Sequence, residues 1–508
     1  MRQLQALKIM LEGRSVFLTG APGAGKTYVL NEFIRRATRA GKTVAVTAST
    51  GIAATHIGGT TIHSWSGLGI RESLSEWDRT RLKGMDKLVK RYNATDVLVI
   101  DEVSMLHGRR LDMVNEVCKL LRENDEPFGG LQVILVGDLF QLPPISRGGE
   151  ALDFVHMSHA WQELNPEICY LTEQHRQVGD GLLDLLEAMR RGDVNELHEA
   201  MLQERLQRQP VQNGHAVTRL YSHNVDVETI NQHHLKAIER DAKVYTMQKS
   251  GVAAKVEQLI KSVLAPAKLE LKIGAEVMFV ANNFGAGYVN GTRGTVVDFD
   301  GDDPIVELKN GREIRVESYS WALEEDGRKR AEVTQLPLRL AWAITIHKSQ
   351  GMSLDAAEID LSRSFTPGMG YVALSRVRSM DGVFLKGINQ MALIMHPYIF
   401  EFDVNLRNAS AALADMTEDY DETKDKTAVP EIDEELLYKL KDWRLQRADA
   451  DSVPAYIIAH NSVLEEVAAK PPQNLQAFRG IKGMGPAKIE KYGQDILDVI
   501  NAHQHAKS

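Results

Sequence analysis

Short apolar runs recur along the first part of the chain, and each one stops at glycine or polar residues. The runs occupy residues 16–18, 43–46, 97–100 and 133–136. Brief runs rich in Val and Ile, with stretches of helical spacing between them, are typical of strands buried inside a parallel sheet. The pattern therefore predicts an α/β lobe in which polar side chains gather where the strands end.

A different pattern occupies residues 243–330. Short strand-like runs at 273–280, 291–297 and 305–308 alternate with glycine-containing turns. Strands of this length and spacing favour a small antiparallel barrel rather than a continuation of the parallel sheet. We therefore predict an inserted β domain, and we keep open whether it has a role beyond structure.

The composition of the last part of the chain changes twice. Residues 411–435 hold ten Asp or Glu against two Lys, which indicates a solvated linker that cannot bury a core. Leu436, Leu440 and Trp443 then share one helical face, which predicts a compact all-α unit. From residue 433 onward the charges nearly balance, with ten basic against eleven acidic residues. His503 and His505 are interpreted as a frayed end.

Composition narrows the class of protein. A chain of 508 residues with 43% hydrophobic residues is long enough for about three or four compact units. The net charge of −9 argues against coating nucleic acid by bulk charge, although a local basic channel remains compatible with it.

Cys118 and Cys169 lie within apolar patterns and are predicted to be buried thiols. Without a signal-like start or a membrane-length apolar run, we expect a cytoplasmic protein, associated with the nucleoid when bound to DNA.

The first strand leads into Gly20-Ala-Pro-Gly-Ala-Gly25-Lys26-Thr27. This is a P-loop pattern between a strand and a helix, where backbone N–H groups can surround a phosphate. Lys26 is expected to reach the β- and γ-phosphates, and the Thr27 hydroxyl to ligate a metal ion. The expected cradle is formed by Gly20, Gly23, Ala24 and Gly25 together with Lys26 and Thr27.

Polar groups that suit the rest of an ATP hydrolysis site follow two further strands. Asp101 and Glu102 end the strand at 97–100 and are expected to support Mg²⁺ and to activate water, respectively. Gln141 follows the strand at 133–136, and its amide could respond to the γ-phosphate. The cofactors predicted are therefore ATP and Mg²⁺.

The arrangement resembles a known family of superfamily 1 helicases. Besides the P-loop and Asp101-Glu102, five motifs carry the resemblance: Gly137-Asp-Leu-Phe-Gln-Leu-Pro-Pro144, Leu171-Thr-Glu-Gln-His-Arg176, Tyr221-Ser-His-Asn224, His347-Lys-Ser-Gln-Gly351 and Tyr371-Val-Ala-Leu-Ser-Arg376. They are similar to the Pif (petite integration frequency) group, which is related to the RecD-like helicases. Met369 departs from the pattern, because the family usually has Gln just before the last motif.

The resemblance implies an α/β fold class with two RecA-like P-loop domains, an SH3-like insertion and an all-α domain of the helicase-and-RNase-D C-terminal (HRDC) type. The implied segments are 1–180 for the first lobe with an excursion at 56–93, 181–242 and 331–405 for the second, 243–330 for the insertion, 406–432 for the linker and 433–506 for the HRDC domain.

The resemblance also implies residue roles. Arg176 and Arg376 would stabilise the transition state, Gln3 would read adenine with Gln5 left as the alternative, and Gly351 would lie at the nucleotide. Implied contacts to single-stranded DNA are Thr61, His63, Asn224, His347, Ser349 and Gln350. In the tail, the local residues themselves predict a contact, because the glycine-rich turn at 480–485 could present N–H groups to a DNA phosphate with Lys482 and Lys488 adding charge; docking of a protein partner is equally compatible with the charge balance.

The resulting interpretation is an ATP-dependent DNA helicase with a monomeric core. The resemblance implies 5′-to-3′ travel and suggests junctions and G-quadruplex DNA as further substrates in replication, repair or recombination. Two alternatives stay open. One is a RecD-like motor subunit of a nuclease complex, and the other is an ATP-switched DNA-binding module that does not unwind.

Overall fold

The structure is a computed structural model, and it describes residues 1–69, 71, 73–144, 153–173, 181–206, 208, 217–281, 283, 286–288, 291–308, 311–325, 328–352, 354–417, 433–450, 458–459, 461–481 and 483–507. Arg176, Lys482 and residues 418–432 of the predicted linker lie outside the described residues. The chain divides into two compact units, Met1–Tyr420 and Asp421–Ser508.

A six-stranded parallel sheet forms the first lobe of the larger unit. Its strands are β1 (Val16–Gly20), β2 (Val44–Ala48), β3 (Thr60–Thr61), β4 (Val97–Asp101), β5 (Gln132–Val136) and β6 (Glu167–Leu171). Their spatial order is β3-β2-β4-β5-β1-β6. Because β4, β5 and β1 are neighbours and parallel, the residues that follow them meet at one edge of the sheet.

Helices cover both faces of this sheet. They are α1 (Gln3–Leu11), α2 (Lys26–Arg39), α3 (Gly51–His56), α4 (Ile62–Trp65), α5 (Glu76–Lys83), α6 (Asp86–Ala94), α7 (Gly108–Arg122) and α8 (His159–Leu164). Alternate strand residues enter two different cores, with Phe17 in one and Val16 and Leu18 in the other. Two buried faces explain why the strands read as continuous apolar runs. Cys118 and Cys169 are buried free thiols, as predicted.

The chain then enters a second lobe and leaves it for the insertion. The elements are α9 (Gly181–Arg191), α10 (Glu196–Leu206), β7 (Thr218–Tyr221) and α11 (Asn224–Ala237), followed in the insertion by β8 (Lys243–Thr246), β9 (Gln248–Gly251), α12 (Ala253–Ser262), β10 (Lys268–Leu271), β11 (Glu276–Phe279), β12 (Arg293–Asp300), β13 (Asp303–Leu308), β14 (Glu313–Arg315), β15 (Tyr319–Glu325), β16 (Arg328–Gln335) and β17 (Leu338–Leu340).

The insertion is built from antiparallel sheets, in agreement with its strand pattern. Their orders are β14-β13-β12-β11-β17, β15-β16-β9 and β10-β8. The inserted sheets continue to Leu340, past residue 330, because β17 pairs with β11. A separate core containing Val277, Phe279 and Val296 lies within the insertion.

The second lobe resumes with β18 (Ala343–Thr345), β19 (Ala357–Leu361), α13 (Met369–Ser375), β20 (Val383–Ile388) and α14 (Pro397–Asp415). Its parallel sheet has the order β18-β7-β19-β20. Residues 406–415, which the sequence assigned to a linker, belong instead to α14. Leu406 and Ser410 are buried, and the Ser410 hydroxyl accepts a hydrogen bond from the Tyr170 backbone N–H at 2.9 Å. The two parallel sheets confirm the predicted fold class.

The smaller unit contains α15 (Glu434–Ala450), α16 (Asn461–Ala469) and α17 (Pro486–Lys507). Leu436, Leu440, Val463, Phe478 and Ile496 are buried in its own core. His503 is not a frayed end, because it is buried and its Nε2 lies 2.7 Å from Asp433 Oδ2. Among the helices described, none is both long and apolar enough to cross a lipid bilayer.

Candidate nucleotide site and nucleic-acid cleft

The P-loop is closed around the Lys26 side chain. Gly20, Gly23 and Gly25 all have positive φ, and a Cβ on Gly20 would lie 2.7 Å from the Leu171 carbonyl oxygen. The loop therefore needs glycine for both conformation and space. Lys26 Nζ donates to the carbonyl oxygens of Gly20 at 2.7 Å and Ala21 at 3.0 Å. Burial lowers the pKa of Lys26, opposed mainly by the charge of Asp138. These bonds place the ammonium group at the mouth of the loop.

Gln3 and Gln5 have different surroundings, which separates the two candidates. Gln3 Nε2 donates to the Ala24 carbonyl at 3.1 Å, and a Cβ on Gly25 would lie 2.1 Å from that nitrogen. Gln5 Nε2 instead donates to the carbonyl oxygens of Ala414 and Thr417 at the end of α14. Only Gln3 therefore lies on the P-loop, while Gln5 caps a helix.

Asp101 and Glu102 form an acidic pair at the end of β4. The Glu102 N–H donates to Asp101 Oδ1 at 2.8 Å, and Glu102 has a φ of 51°, a left-handed conformation that side chains seldom adopt. Burial raises the pKa of both carboxyl groups, and the Glu102 charge raises the pKa of Asp101 further. Within the part of the chain that is described, Glu102 Oε2 is buried without a hydrogen-bond partner.

This donor set fits Mg²⁺. The pKa values of the two buried carboxyl groups stay raised despite the nearby charges of Lys26 and Arg376, and an oxygen-only set is what a hard divalent cation prefers. Asp101 and the hydroxyl of Thr27, in the first turn of α2, would hold the ion. The unsatisfied Glu102 oxygen would remain available to a water molecule.

Arg376 extends from the second lobe toward this acidic pair. It follows α13 and is buried, and its guanidinium donates to the Val372 carbonyl at 3.1 Å and the Ser375 hydroxyl at 2.9 Å. Its positive charge is the largest influence that opposes the raised pKa of Glu102. The structure thus brings Lys26, Glu102 and Arg376 together from both lobes. Met369, at the start of α13, is buried in the apolar core.

A cleft of about 870 Å³ lies beside the carboxyl ends of the strands. Three of the residues predicted to contact DNA line it, namely Asn224, His347 and Gln350. Asn224 is exposed at the start of α11, and the His347 ring stacks on Phe365 with centroids 6.4 Å apart. Burial lowers the pKa of His347, which favours the neutral form of the ring.

Other lining residues were missed from the sequence. Thr50, Lys348 and Phe365 all line the cleft, and Phe365 is 55% exposed. Burial, with the charge of Arg339, lowers the pKa of Lys348 to about 8. Lys348 could have been predicted from the sequence, because it follows His347 within the same motif. No local sequence pattern marked Phe365.

Two predicted DNA contacts, Ser349 and Gln350, are almost completely buried. Ser349 is fully buried, and its hydroxyl donates to the Ile346 carbonyl at 2.8 Å, so its side chain does not face the cleft. Gln350 touches the cleft but is 3% exposed, and its Nε2 donates to Gln141 Oε1 at 3.3 Å. The short 3₁₀ turn Ile346–Ser349 rotates successive side chains, so neighbours cannot all face one side. Gly351 follows with a φ of 77°.

The remaining predicted contacts are placed as follows. Thr61 caps α4, with its hydroxyl oxygen accepting from the Ser64 N–H at 3.3 Å. His63, in the same helix, has its pKa lowered to about 4, mainly by burial and then by Arg110. Neither residue lines the cleft described above. Lys488 lies in α17 of the smaller unit.

Comparison with known proteins gives a consistent result. A family model described as PIF1-like helicase matches residues 2–203, one described as the 2B domain of DNA helicase Pif1 matches residues 256–299, and one described as HRDC domain matches residues 433–500. The ATP-dependent DNA helicase Pif1 of Psychrobacter sp. (strain PRwf-1) is 42% identical over 481 residues, which cover 82% of this chain and 72% of that protein.

Solved structures resemble the fold as well. The crystal structure of Pif1 helicase from Candida albicans superposes with a TM-score of 0.75 at 35% identity, covering 80% of this chain and 98% of that one. Pif1 helicase from Bacteroides in complex with ADP-AlF3 and ssDNA has a TM-score of 0.69 at 31% identity, covering 80% of this chain and 97% of that one.

Proposed function

The chain belongs to the PIF1-like family of ATP-dependent DNA helicases, and we propose that it moves 5′-to-3′ along single-stranded DNA and opens the duplex ahead of it. The observation that supports this most directly is the composite site. Arg376 of the second lobe acts on the pKa of Glu102 in the first lobe. Hydrolysis at such a site depends on how closely the lobes approach each other.

Each described residue of the site has a proposed role that is compatible with its position. Lys26 would leave its loop carbonyls to hold the β- and γ-phosphates, and Thr27 with Asp101 would hold Mg²⁺, which screens the phosphate charge. Glu102 would orient and deprotonate the attacking water. Arg376 would stabilise the charge that develops on the transferred phosphoryl group, and Gln141 would respond to its presence. Arg176 is proposed as the second arginine on the grounds of its motif alone.

Translocation would follow from closing and opening of the lobes. The cleft is lined by Thr50 from the first lobe and by Asn224, His347 and Lys348 from the second. ATP binding would draw these two surfaces together, and product release would let them separate. Neutral rings and amides suit backbone contact and base stacking without a sequence code. Thr61 and His63 would extend the first surface.

The finer biological assignment is also part of the proposal. Tailed junctions and G-quadruplex DNA would be substrates in replication, repair or recombination, in the cytoplasm at the nucleoid. The core would act as a monomer. The HRDC unit would add a contact to DNA, through Lys482 and Lys488, or to a protein partner.

Unwinding of two matched substrates tests the direction of travel. One duplex carries a 5′ single-stranded tail, and the other carries the same sequence as a 3′ tail. With ATP and Mg²⁺ we expect strand separation only from the 5′ tail. Separation from the 3′ tail alone would overturn the direction, and DNA-stimulated hydrolysis with neither duplex opened would favour a switch or a partner-dependent motor.

A further inference from the structure

A buried arginine joins the two lobes next to the nucleotide site. Arg190, at the end of α9, donates from Nη1 to Asp138 Oδ1 at 2.7 Å and to the Tyr371 hydroxyl at 2.8 Å. Tyr371 in turn donates to Asp138 Oδ2 at 2.6 Å. The side chains of Asp138 and Arg190 are 0% and 3% exposed. Solvent is therefore excluded from the whole triad.

The triad connects elements of different lobes. Asp138 follows β5 of the first lobe, whereas Arg190 and Tyr371 belong to α9 and α13 of the second. Arg190 also donates to the Tyr170 hydroxyl in β6 and lies over the Phe140 ring, with the guanidinium carbon 4.3 Å from the centroid. The planar guanidinium thus contacts the first lobe in three places at once, which a single ammonium group could not reproduce.

Asp138 of the triad follows β5, the neighbour of the strand β1 that leads into the P-loop. Burial is the largest influence on the pKa of Lys26 and lowers it; among the charged groups, Asp138 raises this pKa most and Arg190 lowers it most. Asp138 has its own oxygens occupied by Arg190, Tyr371 and the Phe140 N–H. The Asp138 carboxylate is therefore paired with Arg190, while Lys26 Nζ donates to the loop carbonyls of Gly20 and Ala21.

We propose that Arg190 is a positioning residue for ATP hydrolysis, which keeps the Asp138 carboxylate paired and clamps the loop carrying Gln141 to the second lobe. The proposal rests on Lys26 being the phosphate-binding residue of the proposed function. Among the described residues, Arg190 makes no hydrogen bond with the P-loop or with the acidic pair. Its effect is exerted through Asp138 and the loop that follows it.

The first test is nucleotide affinity of the full-length chain, measured with a fluorescent ADP analogue. For Arg190→Met we expect a loss of at least about tenfold, because an unpaired buried carboxylate would capture Lys26. Adding Asp138→Asn to that variant removes the competing charge and, because contacting residues are energetically coupled, is expected to restore affinity to within about twofold of wild type. Normal affinity in Arg190→Met, or no recovery in the double variant, would overturn the proposal.

The second test separates charge from geometry. Arg190→Lys keeps the positive charge but loses the planar guanidinium that bonds several partners at once. We therefore expect near-normal nucleotide affinity, with DNA-stimulated kcat lowered by about tenfold or more. An unchanged kcat in this variant would overturn the clamp. The kcat of Arg190→Lys also tests the proposal if Arg190→Met does not fold.

Arg205→Met is the matched control. Arg205 is also buried and pairs with an aspartate, but its partner Asp381 lies in the second lobe too, at 3.3 Å. We expect this variant to lose stability without the change in nucleotide affinity. Equal loss in both variants would mean that any buried arginine has the effect, and the proposal would fail. Wild-type unwinding of the 5′-tailed duplex tests the proposed function independently.

Discussion

Gln350 of the second lobe donates a hydrogen bond from its Nε2 to Oε1 of Gln141 in the first lobe, across 3.3 Å. Gln141 follows β5 at the edge that holds the P-loop, and Gln350 borders the cleft. The two amides therefore form a direct link between the nucleotide side and the nucleic-acid side. A shift of either lobe changes the length of this bond.

This link predicts that Gln350→Ala weakens the coupling of DNA binding to hydrolysis. A hydrogen bond of this type contributes about 1 kcal/mol, so we expect DNA-stimulated kcat to fall by about fivefold. The measurement is hydrolysis rate against concentration of single-stranded DNA. Gln335→Ala is the control, because Gln335 is an equally buried glutamine whose amide donates within the insertion. Equal stimulation in Gln350→Ala and wild type would exclude a role for this bond.

Glu102→Gln is expected to stop turnover and spare binding. The amide cannot take a proton from water, so hydrolysis should fall by at least about 100-fold. ADP-analogue fluorescence and DNA binding should stay close to wild type. Glu123→Gln provides a control with the same backbone geometry, since Glu123 also has a φ of 51° but is exposed at the end of α7. Hydrolysis near the wild-type rate in Glu102→Gln would remove Glu102 from the site.

Arg376→Lys tests the arginine that approaches from the second lobe. The lysine ammonium group is compact and cannot reproduce the planar, multiple hydrogen bonding of a guanidinium. Arginines in this position contribute about 10³- to 10⁵-fold to the rate. We expect a loss of kcat of about 10³-fold with little change in nucleotide affinity. Arg378→Lys is the neighbouring control, because Arg378 is 65% exposed and pairs with the exposed Asp355. A loss of affinity without a loss of kcat would indicate a ground-state contact instead.

Lys348 predicts a specific pH dependence of DNA binding. Its pKa of about 8 lies below the ordinary lysine value, because of burial and Arg339. A bound phosphate favours the charged form and raises this pKa, so the contribution is complete below pH 8 and is lost as pH rises through the bound-state value. We expect affinity for single-stranded DNA to decline between about pH 8 and 10.

Lys348→Arg should remove that decline, since arginine stays charged throughout the range. Lys348→Ala should weaken binding at pH 7 and reduce the slope against salt concentration by about one. If wild type and Lys348→Arg show the same pH profile, another group is responsible for the dependence.

Gln3→Ala and Gln5→Ala should behave differently although the residues are two positions apart. Gln3 lies on the P-loop, so its loss should reduce the preference for ATP over GTP by at least about tenfold. Gln5 holds the end of α14, so its loss should cost about 1 kcal/mol of unfolding free energy and leave nucleotide preference unchanged. Competition binding and thermal unfolding measure the two effects. If only Gln5→Ala lost the preference for ATP over GTP, Gln5 rather than Gln3 would be the residue that recognises adenine.

Several features were determined by the sequence alone, because they depend on short stretches of chain. The apolar runs predicted the parallel strands of the first lobe, and glycine spacing predicted the loop around Lys26. Where a strand, a glycine turn and a helix follow one another, local sterics leave few alternatives. The motif order and the compositions of the insertion and the tail likewise led to the family and to its three kinds of domain.

Tertiary structure decided which side chains meet. Gln3 rather than Gln5 reaches the P-loop because α1 presents different residues to α2 and to α14, and helical periodicity cannot tell those neighbours apart. Ser349 turns inward because of the 3₁₀ turn that contains it. Asp138 and Tyr371 meet although 233 positions separate them, and Arg190 joins them from a third segment. Such long-range contacts follow from how two lobes pack, and no local pattern encodes that arrangement.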